Sequence, residues 1–167
     1  VIGHELTHGY DDQGARFGPT GNFEEWWTDA DKKQFQVLTG KLVQQYNSYS
    51  MGPGLKVNGN LTLGENIADL GGISIAWDAL QHAIAGKPDP KVDGLTRDQR
   101  FFYGWATAWR SVYKDQEIKV RLNSDPHAPA RIRTNGTLAN HPAFATAFGC
   151  KDGDAMVNSS GKQVVIW

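Results

Sequence analysis

Two histidines four residues apart frame the run His4-Glu5-Leu6-Thr7-His8, close to the start of this 167-residue chain. That spacing is useful only on a helix. There, residues i and i+4 share one face, so both imidazoles can reach a single metal ion. Glu5 lies beside that face, where its carboxylate can take a proton from water activated by the metal. The pattern is that of a zinc hydrolase, most often a peptidase. A helix with two surface histidines and a solvated glutamate would carry the same five letters, so the remaining ligands have to be sought elsewhere.

Catalytic zinc usually takes three protein ligands and leaves a fourth position open. His82, His127 and His141 are the other histidines, and none of them repeats a helical pairing. A carboxylate in Leu63-Gly64-Glu65-Asn66-Ile67-Ala68-Asp69 is the better candidate. Glu65 and Asp69 are four apart and repel each other on an isolated helix. A nearby cation turns that repulsion into attraction. Glu65 would then bind the metal, while Asp69 accepts the other ring N–H of a liganding histidine. Spacing alone also fits a solvated acidic face.

Composition limits the alternatives. Seventeen Lys and Arg against eighteen Asp and Glu leave a net charge of −1, which gives no electrostatic case for nucleic acid or an anionic membrane. The single cysteine, Cys150, excludes an internal disulfide and a thiolate zinc cage. No apolar run approaches the ~18 residues that a membrane span needs. A hydrophobic content of 40% is ordinary for one soluble domain with a real core.

Three runs, VIGHELTHGYDDQGARF, NGNLTLGENIADLGG and DPHAPARIRTNGTLAN, resemble the catalytic half of the neprilysin and endothelin-converting-enzyme family of zinc metalloendopeptidases. The similarity extends from Val1 to Trp167. It implies a mainly α, zincin-like (thermolysin-like) metallopeptidase catalytic subdomain, truncated at its N-terminus. Residues 1–167 would be the C-terminal part of that catalytic domain, a single unit without the upstream strands and the covering helical domain. The resemblance makes His4, His8 and Glu65 the ligands of one Zn2+ per chain and Glu5 the general base. Asp69 becomes the carboxylate orienting a ligand histidine, and His127 the group stabilising the oxyanion. Arg133 would hold the substrate backbone carbonyl, and only the family spacing prefers it to Arg131. His82 and His141 have no motif around them and read as structural or surface residues. Secreted animal members rely on disulfides, so the lone cysteine is more like a bacterial relative.

The same resemblance implies oligopeptide substrates, cut on the amino side of hydrophobic residues by Glu-promoted attack of zinc-activated water. It favours a periplasmic, secreted or cell-envelope location, although a chain that starts inside a motif carries no targeting information. Apolar surface uncovered by truncation would invite self-association. Two other readings stay open: a zinc-binding but inactive fragment, and a non-catalytic binding relative.

Element signals are mostly helical. The metal helix should end near Gly9, followed by a turn-rich stretch. A helix capped by Thr28 and Asp31 should bury Phe35, Leu38, Leu42 and Tyr46, and stop before the loop Met51-Gly52-Pro53-Gly54. Another should run from about Thr62 to Ala85, with Gly71-Gly72 weakening it unless a second backbone packs closely there. Thr96 and Gln99 should cap a helix running to Tyr113. Pro126 and Pro129 should keep His127 in a loop. Asn140-His141-Pro142 reads as an N-cap and first turn leading into Ala143–Phe148.

Overall fold

Thr96 and Gln99 form a reciprocal cap: the Thr96 N–H donates to Gln99 Oε1 at 3.0 Å, and the Gln99 N–H donates to Thr96 Oγ1 at 3.2 Å. Thr28 begins its helix by accepting from the Asp31 N–H at 3.2 Å, while its hydroxyl donates to Asp31 Oδ2. The computed structural model describes residues 1–159 and 161–167. Its helices are α1 (Ile2–Thr7), α2 (Asp29–Asn47), α3 (Leu63–Ile84), α4 (Arg97–Ala108), α5 (Asp115–Ser124), α6 (Ala130–Leu138) and α7 (Pro142–Phe148). Among the described residues β structure is limited to isolated bridges, such as Phe17 with Phe23. The fold is mainly α, and none of these helices is long and apolar enough to cross a membrane.

α3 is the central element. Its residues from Asn66 to Ile73 are all buried, on every side of the helix. One core packs Ile67 and Leu70 of α3 against Leu42 and Tyr46 of α2, Ile132 of α6, and Val164. A second gathers Ile73, Phe102, Leu138 and Phe144, with Trp77 and Trp105 packed on its edge. Of the four residues expected to bury from α2, Leu42 and Tyr46 do so fully, and Phe35 packs partly against that core. Leu38 is half-buried.

The glycine pair in α3 has a steric cause. A Cβ on Gly72 would come within 2.7 Å of the His4 backbone nitrogen, and one on Gly71 within 2.5 Å of Thr7 Oγ1. α1 therefore lies directly on α3, and this close crossing fixes where the two histidines stand. The helix-weakening pair is tolerated because it lets the two backbones meet.

Three boundaries differ from the sequence reading. α4 stops at Ala108 instead of reaching Tyr113, because Trp109 leaves helical geometry (φ −99°, ψ 10°) and its ring receives the Arg133 guanidinium at 4.0 Å. A separate helix, α5, follows, with Asp115 and Glu117 in its first turn, where the helix dipole favours acids. α7 is capped at His141, not at Asn140, and Pro142 opens it. The Asn140 side chain is occupied elsewhere. It donates to Gln45 Oε1 and Gly136 O, and it accepts from Asn158 Nδ2 and the Val164 N–H. That buried amide ties α2, α6 and the C-terminal segment together.

Candidate metal centre

α1 carries His4, and the 3-10 turn His8–Tyr10 that directly continues it carries His8; the two rings stand edge to face, with centroids 4.7 Å apart. Their Nε2 atoms are separated by 3.1 Å. Glu65, in the first turn of α3, turns one oxygen toward each ring: Oε2 is 3.3 Å from His4 Nε2, and Oε1 is 3.4 Å from His8 Nε2. These three residues form a group able to hold a metal ion.

The donor set fits zinc. Bonds of 2.0–2.1 Å in a tetrahedron place neighbouring ligand atoms about 3.3 Å apart. The separation of the two Nε2 atoms and the distance from each to its nearer Glu65 oxygen are all close to that length. The ring nitrogens facing away are both engaged by carboxylates. His4 Nδ1 lies 2.9 Å from Asp69 Oδ1, and His8 Nδ1 lies 2.7 Å from Asp11 Oδ2. An ionised carboxylate only accepts, so each Nδ1 carries the proton and each Nε2 offers its lone pair to the centre. Two imidazoles and a carboxylate at such distances need a cation among them, and a proton on His4 or a metal ion meets that need.

The electrostatics follow from the same contacts. Hydrogen bonds to Asp69 and then Glu65 push the His4 pKa up to about 9, against the effect of burial. Burial alone would raise the Glu65 carboxyl, yet His4, His127 and Arg133 hold it below the usual range. Asp69 has no solvent exposure. Its Oδ2 accepts from Arg133 Nε at 2.7 Å and its Oδ1 from Arg133 Nη2 at 2.6 Å, a two-point pairing. Arg133 Nη2 also reaches Glu65 Oε2 at 3.3 Å. Burial works against the Arg133 charge, and Asp69 with Glu65 more than restores it.

His127 lies in the loop before α6, with Nε2 3.2 Å from Glu65 Oε2. Pro129 caps α6, so the loop carries His127 and the first helical turns carry Arg133. His127 and Arg133 line one cavity of about 290 Å³ with Trp109, Tyr113 and Ile118. Glu5 is exposed on α1, directly after His4.

The sequence candidates thus converge: His4, His8, Glu65, Asp69, His127 and Arg133 meet in one cluster. Arg131 does not. It is exposed and donates to the Ser50 carbonyl at 3.2 Å. His82 is exposed near the end of α3, and His141 packs edge-on against the stacked rings of Trp77 and Phe102. Sequence reasoning missed two carboxylates. Asp11 orients His8, and the signal available was an acid three residues beyond the second histidine. Asp125 accepts from His127 Nδ1 at 2.7 Å and from its backbone N–H at 2.9 Å. Its signal was an acid two residues before a histidine, a spacing that favours local side-chain-to-backbone bonding.

With that geometry established, comparison with known proteins places the chain. The model of peptidase family M13 matches residues 1–164. The chain belongs to peptidase family M13. Neprilysin-1 of Caenorhabditis elegans is 39% identical across the whole chain, and endothelin-converting enzyme 1 of Rattus norvegicus is 42% identical over 93% of it. The crystal structure of the Mycobacterium tuberculosis zinc metalloprotease ZMP1, in complex with an inhibitor, superposes on the entire chain with a TM-score of 0.96 at 45% identity. That likeness agrees with a zincin-like catalytic subdomain. This M13 chain spans 23% and 21% of the lengths of the two curated relatives and 26% of ZMP1.

Proposed function

We propose that this chain carries the catalytic centre of a zinc-dependent endopeptidase acting on oligopeptides. The observation that supports this most is the convergence of His4, His8 and Glu65 at the edge lengths of a zinc tetrahedron, with His127 and Arg133 against the same glutamate. One zinc per chain would be held by those three side chains. Zinc bound there supplies Lewis acidity, polarising the scissile carbonyl and lowering the pKa of water.

Each residue of the cluster has a task. Glu5 takes a proton from water as the water oxygen attacks the carbonyl carbon, and it delivers that proton to the amide nitrogen as the C–N bond breaks. Asp69 and Asp11 hold His4 and His8 in the tautomer that directs Nε2 inward. His127, held through Nδ1 by Asp125, turns its Nε2 toward the place where negative charge builds on the carbonyl oxygen and stabilises that charge. The Arg133 guanidinium is anchored by Asp69. Its Nη1, which has no hydrogen bond among the described residues, is the nitrogen left for a substrate backbone carbonyl. The apolar walls of Trp109, Tyr113 and Ile118 beside His127 suit cleavage on the amino side of a hydrophobic residue.

The test is a quenched-fluorescence peptide assay on the longest natural form of the protein, together with metal analysis. About one zinc per chain is expected, with cleavage lost on chelation and restored by zinc. Glu5→Gln should keep the zinc and lose turnover by a factor on the order of a hundred or more. Cleavage by Glu5→Gln at the wild-type rate would overturn the mechanism. Zinc binding without cleavage by the wild-type protein would leave metal binding as this centre's only role.

A further inference from the structure

His127 presents a positional problem. Its side chain is 45% exposed and sits on a loop, so burial does not select its rotamer. Pro126 and Pro129 restrict the backbone on either side, but not the ring. A group that must meet one developing charge loses much of its effect when it moves by about 1 Å. Something has to hold the imidazole.

Asp125 does so directly, and Asp125 is itself held. Its Oδ1 is occupied by the two His127 donors, and its Oδ2 accepts from Arg121 Nη1 at 2.7 Å. Arg121 is pinned at three points. Nε donates to Glu117 Oε1 at 2.8 Å, Nη1 goes to Asp125, and the guanidinium lies 4.7 Å from the centre of the Tyr113 ring. Glu117, Arg121 and Asp125 follow one another at four-residue steps along one face of α5 and its C-cap. The Asp125 N–H is also bonded to the Arg121 carbonyl at 2.9 Å, so backbone and side chain lock the same pair. The carboxylate plane therefore has no free rotation, and neither has the ring that depends on it.

We propose that Arg121 is a positioning residue, acting through Asp125 to fix the orientation of the His127 ring over Glu65. An exposed ion pair contributes little to stability. A fork clamped between two carboxylates and a ring nevertheless defines a direction. This explains why α5 exists as a separate helix here although no residue of it is fully buried. The catalytic consequence rests on the role of His127 proposed above; the orientation itself does not.

The test uses zinc-loaded protein in its longest natural form, labelled with 15N in its histidine rings. In the wild type the His127 Nδ1–H should give a slowly exchanging signal. Arg121→Ala should broaden or abolish that signal and lower kcat several-fold, with KM and the unfolding midpoint unchanged. Arg121→Lys, which keeps the charge but not the fork, should recover part of both. If Arg121→Ala unfolds early, the comparison of Arg121→Lys with wild type carries the test. A His127 signal unaltered in both variants would overturn the proposal. Loss of the signal with kcat intact would support the positioning and refute the part assigned to His127 in turnover.

Discussion

Asp69 grips His4 and Arg133 with the same carboxylate: Oδ1 lies 2.9 Å from His4 Nδ1 and 2.6 Å from Arg133 Nη2. A fully buried acid thus joins a histidine of the proposed metal centre to a buried arginine. Asp69→Asn keeps the shape but turns one oxygen into a donor facing donors, and it leaves Glu65 as the one carboxylate paired with Arg133 among the described residues. Breaking a buried pair from one side costs about 3–5 kcal/mol. Loss of a carboxylate behind a ligand histidine weakens metal binding roughly 10- to 100-fold. Denaturant unfolding and competition with a chelator measure the two effects. An Asp69→Asn protein with wild-type zinc affinity would show that His4 needs no such support.

Proton and metal compete for His4. Asp69, then Glu65, raises its folded-state pKa from 6.5 to about 9, despite burial. In metal-free protein this contribution to stability is complete below about pH 6.5, the unfolded value, and drains away as pH rises through about 9. Zinc needs the nitrogen without its proton. Apparent zinc affinity should therefore climb between pH 6.5 and 9, with about one proton leaving His4 per metal bound near neutrality. Calorimetric titration in two buffers of different ionisation enthalpy reads that proton directly. A release near zero at pH 7 would contradict the assignment.

Much of this was legible because the signals are local. His4 and His8 are one helical turn apart, and Thr96 with Gln99 spells a cap that the backbone then makes. Glu65 and Asp69 were legible as a pair, but which one faces the Nε2 atoms of His4 and His8 is set by the crossing of α1 on α3. α5 escaped notice because it lacks a side-chain cap and a buried face; what ties it to the His127 loop is the chain of bonds from Glu117 through Arg121 and Asp125 to His127. Asn140 looked like a cap because its type suits one, and tertiary bonds to Gln45, Asn158 and Val164 outweighed that preference. Arg131 and Arg133 are indistinguishable by composition, and only the turn of α6 sends one inward.

That difference between the two arginines is measurable. Arg133 is 4% exposed and bonded to Asp69 at two points, whereas Arg131 is exposed and touches one carbonyl. Arg131→Ala should leave unfolding within about 0.5 kcal/mol of wild type. Arg133→Ala should destabilise by about 3–5 kcal/mol by stranding Asp69, and should also raise KM for peptides. Equal effects of the two substitutions on unfolding and KM would mean that the α6 geometry is misassigned.

The contact of α1 with α3 makes metal affinity a packing property. A methyl group at Gly72 would meet His4 N at 2.7 Å and His4 Cα at 2.9 Å, both backbone atoms that cannot swing aside. Gly72→Ala must therefore push α1 away and carry both histidines from Glu65. Overpacking of this kind costs about 1–3 kcal/mol. Zinc affinity should fall with it, because each donor separation is within a few tenths of an ångström of the tetrahedral edge. Gly40 provides the control: it lies inside α2, and an added Cβ meets nothing within 4 Å. Gly40→Ala should stabilise by roughly 0.5–1 kcal/mol through lost backbone entropy and leave zinc binding unchanged. Thermal unfolding with and without zinc separates the cases. Gly72→Ala should lose both its midpoint and most of its zinc-induced shift, while Gly40→Ala keeps the shift and gains a few degrees. A full zinc-induced shift in Gly72→Ala would mean that the site tolerates displacement of α1, and the close crossing would then be a requirement of folding alone.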